Sequence, residues 1–440
     1  MSVAQKVLSC WLLSGALFAA SSAGQDQTRI GAGNSAAESQ GSKSPIVRSA
    51  HSYLMGQAQT IKNQFVRKQT LDLLVNANVC ILHRADVDAA RKQSILQALQ
   101  NAGLINSADA EKFPGGMLAG VFPPVAADGL ACPHPPQSFL AAPGGEFGGH
   151  HSYPGGLAIH EAFNEMNNFS LAENFRSVYG YTSENELPTM RHKITGGKSM
   201  SDHADAAGAS LAPDLIIAAP IWHDWAKTIV FQWNADGTEF QELRFGGNGM
   251  TDANGAAGDS RTGAHHILSI AEAMKRGLPP ELVITQASAH AAPSLGNEYK
   301  VVNWLRSAAI VAQVDVVAKG YLSRDAKGNY RLPALRHLGE ESQSTPQGSQ
   351  TNLLAEFALH NLSDAQYVLG IPAEERVEAL LRGMAPKFGF DPANAAEYNM
   401  KYRNPVLAFL TAERLYFLYE NGGVSAVEGE VRLLRSKNVI

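Results

Sequence analysis

From Ile46 to about Ala110 apolar residues recur at steps of three and four, as in Leu71, Leu74 and Val75 and again in Ile95, Leu96 and Leu99. That is the period of a helix with one buried face, and it predicts two or three helices. Between Phe113 and Gly149 the period is lost to proline and glycine (FPGGMLAGVFPPVAADG, PHPPQSFLAAPGGEFGG), so an ordered loop wrapped over a helical body is expected. Beyond it, Asp214 to Lys227 (DLIIAAPIWHDWAK) is apolar nearly all round and reads as a buried helix. A further helix opens at His265–His266 and ends at Gly277 and Pro279, another leads from Pro280 toward His290, and a long one begins at Tyr299. KTIVFQW and TEFQELRF flank Asn234-Ala235-Asp236-Gly237, a turn signal that predicts a β-hairpin insertion. The glycines of GGNGMTDANGAAGDS do not follow a strand and open a helix as a phosphate loop requires, so this stretch reads as a flexible cover. After Pro346 the segments NLLAEFALHNL, AEERVEALLRGM and NPVLAFLTAERLYFLYE predict helices over 350–440, packed on the core or joining two subunits. The fold class expected is all-α with a β-hairpin insertion.

Composition changes this picture little. The 440 residues have room for two or three domains, and 45% hydrophobic and 18% charged residues with a net charge of −5 describe an ordinary globular chain. Nothing in that balance calls for duplex nucleic acid or acidic lipid as a partner. The N-terminus stands apart: Lys6 precedes the apolar run Val7 to Ala20 and the small residues Ser21-Ser22-Ala23. This reads as a signal peptide over 1–23, with an uncleaved anchor as the alternative, and implies export to a periplasm or medium. Residues 24–45 are poor in large apolar side chains and read as a disordered linker. Cys10 leaves with the signal. Cys80 and Cys132 then remain, to pair in an oxidising compartment or to stay as two thiols.

The candidate chemistry lies in five segments: His160 in GGLAIHEAFN, His223-Asp224 in IWHDWAK, His265-His266 in TGAHHILSIAEA, His290 in ASAHAAPS and Asp315 in IVAQVDVVAKGYL. A carboxylate set among residues as apolar as Leu215 to Ile221 is costly unless paired or bound to metal, and Asp315 in its apolar run repeats the case. Imidazole and carboxylate ligands from separate helices suit one or two divalent transition metals, with Mn, Fe, Co, Ni and Zn all admissible. Lys227 follows His223 by four residues and Asp224 by three, so on one helix it shares their face and reaches a phosphate oxygen. Adjacent helical residues point ~100° apart, so only one of His265 and His266 faces the metals. His151, Arg191, His192 and Lys193 are further groups that could meet a substrate.

The order of these segments, with His150-His151 and Gly155-Gly156 leading into the His160 helix, resembles the HD-domain metal-dependent phosphohydrolases over about residues 148–322. The resemblance implies an HD-type helical bundle as catalytic core over 148–335, preceded by N-terminal helices and loop over 46–147. It implies a metal set of His160, His223, Asp224, His266, His290 and Asp315, with His266 favoured over His265 by its place in a His-Ile-x-x-x-Ala pattern. Asp224 and Lys227 take the catalytic roles, and Lys227, His151 and His265 those of substrate contacts. Two histidines between the His-Asp pair and the last Asp imply two metals bridged by Asp224. Hydrolysis of a phosphomonoester or phosphodiester of a small, nucleotide-like phosphorylated substrate by a metal-bound hydroxide is the activity implied. The same ligand set also serves relatives that use a mixed-valent di-iron centre as oxygenases, and a non-catalytic metal-containing binding protein is the third reading. The chain departs from the family's His-Asp-x-Gly-Lys in carrying Ala226 at the glycine position, which narrows the room beside the site.

Overall fold

Proline and serine set the first long helix. Ser44 Oγ accepts from Val47 N and Pro45 occupies the first helical position, so Pro45–Thr60 starts with a capped, preformed turn. The computed structural model describes residues 30–179, 211–250, 257–294, 296–333, 335 and 354–440. Within these the secondary structure is helical, and strands are limited to three two-stranded antiparallel pairs. The Arg191, His192 and Lys193 segment and the N-terminal apolar run lie outside the described residues. No helix among the described residues is long and apolar enough to cross a membrane.

The expected linker is corrected in its second half. Asn34–Lys43 is a helix with Ala37 buried, and a Cβ on Gly41 would fall 1.8 Å from the Leu140 carbonyl oxygen. Ordering here comes from close backbone contact, which the low apolar content of the segment conceals. The helices Gln64–Val75 and Ala89–Asn101 form where the early periodicity places them, with Leu74, Ile95, Leu96 and Leu99 buried as expected, but Val75 is exposed at the helix end and Leu73 is buried beside Leu74 instead. Cys80 and Cys132 form a disulfide with a Cα–Cα distance of 5.1 Å.

The body around the site is built from Gly156–Tyr179, Pro213–His223, Ala264–Lys275, Pro280–Ala287, Glu298–Ala312 and Ala355–Ser363. Their apolar faces join one core that runs from Val47 to Phe357. Trp222, fully buried, donates its indole N–H to Thr70 Oγ1 at 2.9 Å; its loss would cost about 3–5 kcal/mol. A second cluster unites the C-terminal helices Tyr367–Met384, Asn404–Leu410 and Ala412–Ser436, and Tyr153 from the loop before the His160 helix sits inside it. Ile159 packs against both clusters. The C-terminal helices therefore cover the loop that leads into the site.

The hairpin is displaced from its predicted place. Asn234 to Gly237 does turn, with Gly237 at φ +81°, but its flanks share only the Trp233–Glu239 bridge, and Lys227–Val230 is a helical turn. Pairing forms instead in the glycine-rich run expected as a flexible cover, Asn248–Met250 with Ala257–Asp259, and between Arg244–Phe245 and Thr262–Gly263. Gly258 is required there, since a Cβ on it would meet the Tyr299 hydroxyl at 2.4 Å.

Candidate metal centre

The Pro213–His223 helix carries Pro220 in its interior, where the missing N–H frees the Ile216 carbonyl. Asn168 of the neighbouring helix donates its side-chain amide to that oxygen at 2.8 Å, so the helix survives. It stops at His223 rather than running on to Lys227 as expected, and Asp224 follows in a non-helical turn. His223 Nδ1 bonds the Pro220 carbonyl at 2.8 Å and lies 3.4 Å from Glu161 Oε2, which fixes the ring and turns Nε2 inward.

Four donor atoms meet there. His160 Nε2 lies 3.2 Å from Asp224 Oδ2 and 3.1 Å from Asp364 Oδ1, and His223 Nε2 lies 3.3 Å from each of the same two oxygens. Asp224 Oδ1 faces the other way, 3.1 Å from His265 Nε2, and His290 completes a second group with these two. One carboxylate thus serves two sets of imidazoles with different oxygens. His223 Nε2, Asp224 Oδ1 and His265 Nε2 are buried without a hydrogen-bond partner. His265 Nε2 and Asp224 Oδ1 lie 3.1 Å apart, and His223 Nε2 lies 3.3 Å from the other oxygen of Asp224; polar atoms buried so without hydrogen-bond partners are costly as a protein interior and apt as a divalent-metal cradle, so the donor set fits such ions.

Three expectations are corrected. Asp315 is exposed and outside the cluster: the Glu298–Ala312 helix ends at Gln313 in the left-handed region, and the Asp315 carboxylate accepts from Val317 N and Ala318 N. Its place is taken by Asp364, at the end of Ala355–Ser363. Asn164, whose Oδ1 accepts from Ser363 Oγ at 2.6 Å, donates to Asp364 Oδ1 at 3.4 Å and helps to hold it. His266 turns from Asp224: its Nε2 bonds the Ala287 carbonyl at 3.2 Å and its ring stacks on His290 at 4.0 Å. His265 stands in the ligand position instead, since Glu242 accepts from its backbone N at 3.0 Å and its Nδ1 at 2.7 Å. His151, expected to contact substrate, is buried behind His150, and His150 is the one that lines the cavity.

Electrostatics follow from this crowding. Burial raises the Asp224 carboxyl, but His223, Lys227 and His265 outweigh it and hold it well below the usual carboxylate range. Burial depresses His265, yet Glu242 and Asp224 lift it to about 9. Lys227 Nζ lies against Asp224 Oδ2 and the Gly144 carbonyl, so the expected phosphate contact begins as a paired ammonium at the floor. A cavity of about 590 Å³ opens above, lined by Arg244, Arg261 and Lys300 as well as by Leu362, Tyr367 and Trp304.

Sequence reading missed Asp364, Glu161, Glu242 and His150. Only Asp364 left a trace, an aspartate four residues after His360 at the end of an apolar helix, the same pattern that drew attention to Asp315. Comparisons with family models, with characterised proteins and with solved structures give no match for this chain.

Proposed function

We propose that this chain is a metal-dependent phosphohydrolase of the HD-domain kind, exported, and hydrolysing a phosphomonoester or phosphodiester of a small nucleotide-like substrate. The observation that carries the reading is the division of Asp224, with Oδ2 toward His160 and His223 and Oδ1 toward His265. His160, His223, Asp224 and Asp364 would hold one divalent metal, and Asp224, His265 and His290 would hold a second. Such a pair, when bound, supplies a water of lowered pKa and withdraws charge from a phosphoryl group.

The protein's own groups do the rest. Glu161 and the Pro220 carbonyl engage His223 Nδ1, and Glu242 engages His265 Nδ1, so that each Nε2 is turned inward to present its lone pair once a bound metal displaces the second proton. Lys227 holds an ammonium at the floor, where negative charge gathers on the nonbridging oxygens. Arg244 and Lys300 line the mouth and draw an anion inward. Phe231 and Trp304, both buried, line the wall and limit water there.

The test is to strip the protein with chelator, reload it with Mn, Fe, Co, Ni or Zn, and follow phosphate release from a panel of phosphoesters. Reloaded protein is expected to hydrolyse at least one of them. Asp224→Ala is expected to lose both metal retention and turnover; a variant that keeps either refutes the assignment.

A further inference from the structure

One wall of the cavity ends in water-facing hydrocarbon. The Ala355–Ser363 helix stops just short of Asp364, whose carboxylate turns in toward His160 and His223, and the chain runs on through Tyr367-Val368-Leu369-Gly370-Ile371 into the helix Tyr367–Met384. Leu362, Tyr367 and Ile371 line the cavity and are exposed as well, Leu362 at 54%. Val368, at 68%, and Leu369 are exposed with them in the same helical turn as Tyr367. Large apolar side chains therefore stand in water at the mouth of the candidate metal centre.

Their position is fixed by close packing. Gly370 is buried in this first turn, and a Cβ on it would fall 2.9 Å from the Cβ of His150, which itself lines the cavity. Tyr367 and Ile371, four residues apart, share one helical face, and the Tyr367 ring lies 6.4 Å from that of His150. Asn361, beside Leu362, already donates its amide to the Ala289 carbonyl at 2.6 Å.

Exposed apolar surface at a binding cavity marks a ligand with matching hydrocarbon. The side chains of Leu362, Val368, Leu369 and Ile371 hold no donor or acceptor, so a sugar or a base gains no hydrogen bond from them, whereas an aliphatic chain laid on them leaves water along its length. The same cavity is lined by Arg244 and Lys300, which suit an anionic head group, and its volume of about 590 Å³ takes a whole small ligand rather than a phosphoryl group alone. Resting on the phosphohydrolase reading above, we propose that a phosphoester carrying an aliphatic chain is a further substrate class of this centre, with its phosphoryl group among the metal donors and its chain along Leu362, Tyr367 and Ile371. Water adds its oxygen to phosphorus and the bond from phosphorus to the ester oxygen breaks. The alcohol leaves with one proton of that water, and the other stays on the phosphate.

The experiment uses the full, metal-loaded chain and monoalkyl phosphates from ethyl to octyl, each also as its methyl diester, below the concentrations at which they form micelles. Released alcohol is the readout. Butanol and octanol are equally good leaving groups, so a difference between their esters reports contact with the chain rather than reactivity. Burial is worth about fourfold per methylene, so even half of that free energy on an open lip should raise kcat/KM about tenfold or more from butyl to octyl. Leu362→Ser and Ile371→Ser, both at exposed positions, should each lower the octyl-to-butyl ratio about threefold, and that ratio does not move with a general loss of folded or metal-loaded protein. Short esters hydrolysed as well as long ones overturn the proposal and leave the phosphohydrolase reading standing, and so does a chain-length gain that both variants retain. A flat series together with a dimer by light scattering that Val368→Ser dissociates gives the face to a second copy and overturns the proposal too. No alcohol from any ester, short or long, overturns the phosphohydrolase reading itself and the proposal with it.

Discussion

Replacing Asp364 with alanine separates the site seen in the structure from the one expected along the chain. The Asp364 carboxylate lies 3.1 Å from His160 Nε2 and 3.3 Å from His223 Nε2, whereas Asp315 touches neither. Loss of an outer-shell partner alone costs 10- to 100-fold in metal affinity, so loss of a charged ligand should cost at least about 100-fold. At metal concentrations 100 times Kd, binding stabilises the fold by about 2.7 kcal/mol; a 100-fold weaker site at the same concentration gives only about 0.4 kcal/mol. The difference of about 2.3 kcal/mol corresponds to roughly 5 °C in Tm at the ~2 °C per kcal/mol of larger domains. The assay is thermal unfolding of chelated and metal-reloaded protein, each variant against its own metal-free form. Asp364→Ala should lose most of the metal-dependent gain. Asp315→Ala should keep it, losing about 1 kcal/mol in both forms from its backbone contacts. A protein in which Asp315→Ala abolishes the gain and Asp364→Ala retains it refutes the assembly described here.

Glu242→Gln releases His265 from its orienting carboxylate, and elemental analysis should show metal content falling from two per chain to one. Removing the disulfide by Cys80→Ser opens a loop spanning 52 residues, expected to cost about 4 kcal/mol on the chain-entropy model and readable in denaturant titration. Burial raises the Glu272 carboxyl, but His83 and Arg276 outweigh it and hold it at about 2. A depressed acid contributes stability that is full above its unfolded pKa of about 4.5 and is lost as pH falls toward 2. Glu272→Gln should therefore cost about 3 kcal/mol at pH 7 and flatten the stability profile between pH 4.5 and 2; an unchanged acid limb would contradict this.

The helices were legible because periodicity reports one buried face, His223 and Asp224 because polar groups at the end of the apolar run Leu215 to Trp222 need partners, and His160 because of its position in the chain ahead of that pair. What was hidden depends on chain path. Two aspartates, Asp315 and Asp364, each follow an apolar helix, and only the left-handed stop at Gln313 decides that the first faces solvent. His265 and His266 begin a helix at Ala264 with no earlier turn to set its phase, so the choice falls to Glu242, which reaches them from irregular chain 23 residues before His265. The paired glycine-rich run was hidden for a similar reason. Glycine is a weak strand former by composition, yet Gly246, Gly249 and Gly258 take backbone angles that other residues avoid.

The position of Asp364 also enlarges the part of the chain that builds the candidate metal centre. A boundary near residue 335 leaves the first donor set one carboxylate short, and it separates the His150–His151 loop from Glu374, Arg403 and Glu413, which hold it in place. Tyr153 then loses the apolar cluster that buries it, and with it goes the packing beside Ile159, one residue before the first imidazole. The C-terminal helices are thus part of what builds the site: they supply one wall of the cradle by covalent continuity with Asp364 and the other by packing on the loop. A carboxylate from the late part of the chain ties cation retention to completion of the fold, since His160, His223 and Asp224 alone leave a cradle with one acidic ligand in place of two.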